Sequence, residues 1–153
     1  MSAAAATEFM IYIGFDYGDK RTGVAVSDAS AFLAGGVTTL TSGSMTRTAE
    51  DGIRLARKLG ASEAVVGLPL NMDGTEGDRA ATARAFGDML LRLSGGTITA
   101  VHYCDERLST VEAHGILSEV NIRSKKRKRV VDTLSAELIL QNFLDSLRQK
   151  PKT

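Results

Sequence analysis

Cysteine, proline and histidine are scarce in this chain of 153 residues, and each scarcity excludes something. Cys104 stands alone, so no disulfide forms within the chain. That suits a reducing compartment, and a cytoplasmic protein is expected. Two prolines leave no proline-rich linker, and no repeat or low-complexity tract is visible. His102 and His114 are isolated, so no zinc cluster is spelled out. No apolar run reaches the roughly 18–20 residues needed to cross a bilayer, and no membrane partner is expected. The Ala-rich residues 1–9 lack the basic and long apolar regions of a signal peptide and read as a frayed tail. Excess charge is also missing. Nineteen Lys and Arg against eighteen Asp and Glu give +1, which by itself points away from a strongly basic nucleic-acid binder. What remains is an ordinary globular balance, 43% hydrophobic and 24% charged. It fits one domain over residues 10–148, with a tail at 149–153.

The elements change character along the chain. Residues 10–15 form a short β-rich run that ends in the Asp16–Tyr17–Gly18–Asp19–Lys20 turn. Residues 23–28 and 37–40 supply two more strands, so an antiparallel meander is expected. Residues 48–59 then place Ile53, Ala56 and Leu59 at helical spacing, with acids early, bases late and Gly60 as the stop. A strand at 64–68, a loop at 74–77, a helix at 78–93 and a strand at 97–104 follow. Ser109–Thr110–Val111–Glu112 is a capping-box pattern for a short helix, and 130–148 reads as the last and longest helix. A meander followed by alternating units implies a mixed sheet covered by helices. In such sheets a site forms where the carboxyl ends of strands meet.

Three places carry carboxylates with chemical potential. Asp16 leaves the first strand between Gly14 and Gly18, where the backbone turns sharply and an anionic ligand has room. Taken alone, it reads equally as a turn Asp bonding its own backbone. Asp105 and Glu106 leave the fifth strand, and alternation sends them to opposite faces, so one of the two faces any given site. Asp132 lies one helical turn before Ala136, on the apolar line of Ile139, Leu140, Phe143, Leu144 and Leu147. A carboxylate on a buried line needs a cation, a donor or the edge of the core. Three carboxylates on three separate elements suit Mg²⁺ or Mn²⁺, hard ions that take oxygen ligands and leave positions open for phosphate and water. Two such ions can activate a water and stabilise the leaving oxygen of a phosphodiester.

The near-zero charge conceals a patch. Arg123, Lys125, Lys126, Arg127, Lys128 and Arg129 put six of the nineteen basic residues into seven positions. The remaining thirteen bases face eighteen acids, a formal −5 for the rest of the chain. The run ends three residues before Asp132 and contains no aromatic residue, which favours contact with a phosphate backbone over base stacking. Lys20, Arg21 and Arg107 could extend the grip, and Asn71 in the Asn71–Asp73–Gly74 loop could contact phosphate.

Four stretches in order resemble one family: Ile13–Asp28 (IGFDYGDKRTGVAVSD), Val65–Gly77 (VVGLPLNMDGTEG), Asp105–Thr110 (DERLST) and Lys125–Leu138. They are similar to the YqgF family, also called RuvX, of Holliday junction resolvase-like nucleases, and they span most of the chain. The resemblance implies a ribonuclease H-like α/β fold, a five-stranded mixed sheet in the order 3-2-1-4-5 flanked by helices. It implies a metal-dependent endonuclease, with maturation of the 5′ end of 16S ribosomal RNA as the family assignment. Carried over residue by residue, the catalytic and metal-binding carboxylates are Asp16, Glu106 and Asp132, with Asp105 as the alternative to Glu106. Many nucleases of the wider superfamily carry the second acid at the end of the fourth strand. Here that strand ends Gly67–Leu68–Pro69–Leu70–Asn71, without one.

The leading expectation is a Mg²⁺- or Mn²⁺-dependent endonuclease on a structured ribosomal RNA precursor. The second is a resolvase of four-way branched DNA, which needs two active sites and hence a homodimer; a monomer suffices for the first. A non-catalytic nucleic-acid-binding factor in transcription or ribosome assembly is the third. An actin-like phosphotransferase shares the opening Gly/Asp hairpin but needs two such domains, for which 153 residues leave no room.

Overall fold

Alternation along the first strand decides which residues meet which layer of the molecule. The computed structural model describes residues 10–105 and 124–148, with side chains in the last helix described from residue 131. Strands β1 (Tyr12–Asp16), β2 (Arg21–Ser27) and β3 (Ala34–Thr41) form the expected meander. Helix α1 (Met45–Leu59) leads to β4 (Glu63–Leu68), and helix α2 (Asp78–Leu93) to β5 (Ala100–Asp105). Helix α3 (Ser124–Arg148) closes the described chain. The five strands lie in the order β3-β2-β1-β4-β5, antiparallel within the meander and parallel from β1 through β4 to β5. Among the described residues, no helix is long and apolar enough to cross a membrane.

The two faces of the sheet carry different cores. Ile13, Phe15, Val24, Val66 and Leu68 point to one side and pack with Ala49 and Ile53 of α1 and with Ala83, Phe86 and Leu90 of α2. Tyr12, Ala25 and Val65 point to the other and pack with Ala136, Ile139, Leu140 and Leu144 of α3. The helical spacing in the sequence thus names the buried stripe of α3, with Phe143 and Leu147 at its partly covered margin.

Several boundaries differ from expectation, each for an identifiable reason. Helix α1 begins at Met45 because the Ser44 side chain caps it, accepting a hydrogen bond from the Arg47 amide. It ends as expected at Gly60, whose φ is 76°. Strand β3 reaches back to Ala34 because α3 supplies acceptors to its edge: Gln141 Oε1 takes the Ala34 amide and Glu137 Oε1 the Gly36 amide. Strand β5 starts later, at Ala100, because Ser94 Oγ ties up the Ile98 amide and carbonyl in the preceding turn. Helix α3 begins at Ser124, six residues before the expected start. Lys and Arg are good helix formers and nothing in the basic run breaks the helix. The expected short helix at Ser109 lies outside the described residues.

Candidate active site

The same alternation that buries Ile13 and Phe15 against α1 and α2 turns Tyr12, Gly14 and Asp16 towards α3. Asp16 is the last residue of β1, at the carboxyl edge shared with parallel β4. Its antiparallel partner is Gly23 of β2. That position has no room for a side chain: a Cβ on Gly23 would overlap the Asp132 carbonyl and stand 3.0 Å from the Thr133 amide nitrogen. A bare patch of β2 beside Asp16 is therefore filled by the backbone of α3 at Asp132. Gly14 repeats the device two turns further along, where a Cβ would come within 2.9 Å of Leu140 Cβ.

Arg21, two residues before Gly23, shares its face and meets Asp132 directly. Its Nε donates to Asp132 Oδ2 at 2.8 Å, with the two side chains 37% and 20% exposed. Burial nevertheless pushes the Asp132 carboxyl above its ordinary pKa, and the hydrogen bond and charge of Arg21 only partly oppose it. Asp16 and Asp132 line one cavity of about 240 Å³, together with Tyr17, Gly18, Asp19, Lys20, Arg21 and Arg79. The Tyr17 ring is fixed by stacking on Phe86 at 4.5 Å, and burial followed by the Asp19 charge raises its phenol pKa, so the hydroxyl stays protonated.

This donor set fits a hard divalent cation. It offers the carboxylates of Asp16 and Asp132 from adjoining elements in one open cavity, with Asp19 of the β1–β2 turn beside them. Among the described residues no cluster of three metal-ligating side chains forms. Glu106, named from the sequence as the third carboxylate, lies outside them. Asp105 is described: it pairs with Leu68 in the parallel register and so takes the α1/α2 side of the sheet, away from the side that Asp16 and Asp132 share.

The basic residues divide. Lys20 and Arg21 reach the cavity, but the Arg21 charge is engaged by Asp132. Lys125, Lys126, Arg127, Lys128 and Arg129 lie in the first turns of α3, leading into Asp132, the ninth residue of the helix. Arg107 and Arg123 lie outside the described residues. Asn71 lines neither this cavity nor its neighbour; its side-chain amide donates to Thr75 Oγ1 and its carbonyl accepts from Gly74, bonds that shape the loop itself. Two contributors escaped the sequence reading. Gly23 looked like an ordinary strand glycine. Arg79 sits on α2, far along the chain from Asp16, where one more base on a helix gives no local signal.

Residues 10–146 match the family described as "RuvX: Holliday junction resolvase". A protein of Pelotomaculum thermopropionicum named "Putative pre-16S rRNA nuclease" is 41% identical over 138 residues, 90% of this chain and 88% of that one. A protein of the same name from Myxococcus xanthus is 41% identical over 136 residues, 89% and 88% of the two chains. Among solved structures, Thermus thermophilus RuvC in complex with a Holliday junction aligns with a TM-score of 0.53 at 13% identity, covering 94% of this chain and 98% of that one. The fowlpox virus resolvase bound to junction DNA gives 0.52 at 10% identity, covering 90% and 99%. At such low identity these structures speak for the fold, and with the 3-2-1-4-5 sheet they establish it as ribonuclease H-like.

Proposed function

The chain belongs to the RuvX family, and from that premise we propose that it is a divalent-metal-dependent endonuclease that matures the 5′ end of 16S ribosomal RNA. The observation that carries the chemistry is the meeting of Asp16 and Asp132 in one cavity at the carboxyl edge of the sheet, each brought there by a different element. Asp16, Asp132 and Glu106 are the residues we assign to hold Mg²⁺ or Mn²⁺. A divalent ion held there would supply a water of lowered pKa and charge stabilisation for the leaving oxygen.

The chain's own groups do the rest. Arg21 holds the Asp132 carboxylate in orientation and opposes in part the effect of burial on it. Lys20 adds positive charge where the phosphate enters. The basic first turns of α3 draw the nucleic-acid backbone towards Asp132, because a run of cations binds phosphate by counterion release without reading sequence. RNA is the favoured substrate because the curated relatives, near 40% identical over nearly their whole length, carry that name. The family description and the junction-bound fold relatives support a second reading, resolution of four-way DNA.

The test pairs purified wild-type and Asp16→Asn protein with precursor 16S RNA and with a four-way DNA junction, each with and without Mn²⁺. Metal-dependent cleavage of the RNA by wild type alone is expected. Cleavage of the junction alone selects the second reading, and undiminished cleavage by Asp16→Asn removes Asp16 from the site.

A further inference from the structure

The cavity holding Asp16 and Asp132 does not end at the carboxylates. A second cavity of about 290 Å³ adjoins it and shares Tyr17, Gly18, Asp19 and Arg79 as lining, then continues to Pro69 and Thr82. Together they make one groove that starts on the α3 side of the sheet, passes over the β1–β2 turn and reaches α2. Asp16, Arg21 and Asp132 stand at one end, and Arg79 and Thr82 of α2 at the other.

Arg79 is set apart from most described arginines by what it lacks. Arg21 is held by Asp132, Arg54 by Asp51, Arg57 by Thr97 and the Ser94 carbonyl, Arg84 by both carboxylate oxygens of Glu76, and Arg148 by Asp145. Arg79 makes no hydrogen bond or ion pair among the described residues. Arg47 and Arg92 share that freedom but line neither part of the groove. In the second cavity the charged side chains are Asp19 and Arg79, and they do not pair with each other. An exposed guanidinium with unused donors is suited to a phosphate oxygen pair. The wall beside it is firm, since Tyr17 is stacked on Phe86.

We propose that this groove carries a single nucleic-acid strand across the carboxyl edge of the sheet, and that Arg79 grips the phosphate neighbouring the one at Asp16 and Asp132. The proposal rests on the nuclease reading above and adds to it the strand's path and a binding residue on α2. Cavities of 240 and 290 Å³ have room for sugar–phosphate units of one strand.

The test compares wild type, Arg79→Ala and Arg79→Lys on an RNA whose cleavage region is single-stranded. It measures KM, kcat, the melting temperature and the slope of binding against salt, with binding read in an Asp16→Asn background. Arg79→Ala is expected to raise KM about tenfold, the worth of one charge-assisted hydrogen bond to a phosphate, with kcat near wild type. Its salt slope should fall by about 0.7, the value for one phosphate contact on a single strand. Arg79→Lys should keep the slope and recover part of KM, because it keeps the charge and loses the fork. An unchanged KM and slope in Arg79→Ala overturns the proposal, as does a fall in kcat alone or a lowered melting temperature that accounts for the loss. If wild type cleaves no nucleic acid, the nuclease reading fails instead; the salt slope still reports whether Arg79 touches phosphate.

Discussion

Replacing Gly23 by alanine tests whether close approach of α3 to the sheet builds the site. The added methyl overlaps the Asp132 carbonyl and stands 3.0 Å from the Thr133 nitrogen, both of them helix backbone with no side-chain end free to swing aside. Carbon atoms settle about 3.5 Å or more from such neighbours, so α3 and β2 must part by more than about 1 Å at this point. Overpacking of this kind costs about 1–3 kcal/mol. For a chain of this size that lowers the melting temperature by roughly 2–12 °C. The larger effect falls on cleavage, because Asp132 is carried on the displaced backbone while Asp16 stays on β1. A misplacement of about 1 Å in a reacting constellation costs on the order of 10²-fold in rate. Gly14→Ala is the control. It strikes the same helix at the Leu140 side chain, at 2.9 Å, two turns beyond Asp132. It should lower stability by a similar amount and leave cleavage far less affected. Thermal melts and single-turnover cleavage at saturating Mn²⁺ read both quantities. Equal cleavage losses in the two variants, or a Gly23→Ala enzyme at wild-type rate, refutes the claim that this contact positions Asp132.

Two further outcomes follow from the charges. The Asp132 pKa is raised in the fold by burial, so the native state holds this proton more tightly than the unfolded chain; the group's contribution to stability is present at low pH and is lost as pH rises through the raised pKa. At neutral pH Asp132→Asn should then melt at or above the wild-type temperature while losing cleavage, and added Mn²⁺ should raise the melting temperature of wild type more than that of the variant. Changing Lys125, Lys126, Arg127, Lys128 and Arg129 together to glutamine should weaken RNA binding without sequence preference and flatten its salt dependence by about 0.7 per lost phosphate contact, measured by fluorescence anisotropy across a salt series.

The fold was legible where period and composition agreed. The alternation in β1, the helical stripe of α3 and the glycine stop at the end of α1 are each written in a few neighbouring residues, and the structure keeps them. Where a boundary moved, a hydrogen bond or propensity outside the periodic pattern supplied the reason. Strand β3 is longer because Gln141 and Glu137 reach it from α3, and β5 is shorter because Ser94 holds the turn before it. Helix α3 extends through the basic run because charge at a helix start costs little against the helix propensity of Lys and Arg.

The sequence by itself determined the parts of the candidate site that are local. Asp16 follows a strand and precedes a turn, Asp132 falls on a buried helical line, and six bases precede it, all readable from spacing. Tertiary structure alone decided what they meet. The Arg21 charge, read from the sequence as a grip for phosphate, is engaged by Asp132, because strand alternation turns it to the face where α3 lies. Asp105 goes to the other face through its register with β4. Gly23 matters for an absent side chain, a property visible only when the helix backbone occupies the space. Arg79 joins Asp16 across a separation in sequence that no local pattern spans. Local signals fix the direction of each side chain relative to its own element; the distance between two elements is set by packing, and a cavity exists only between elements.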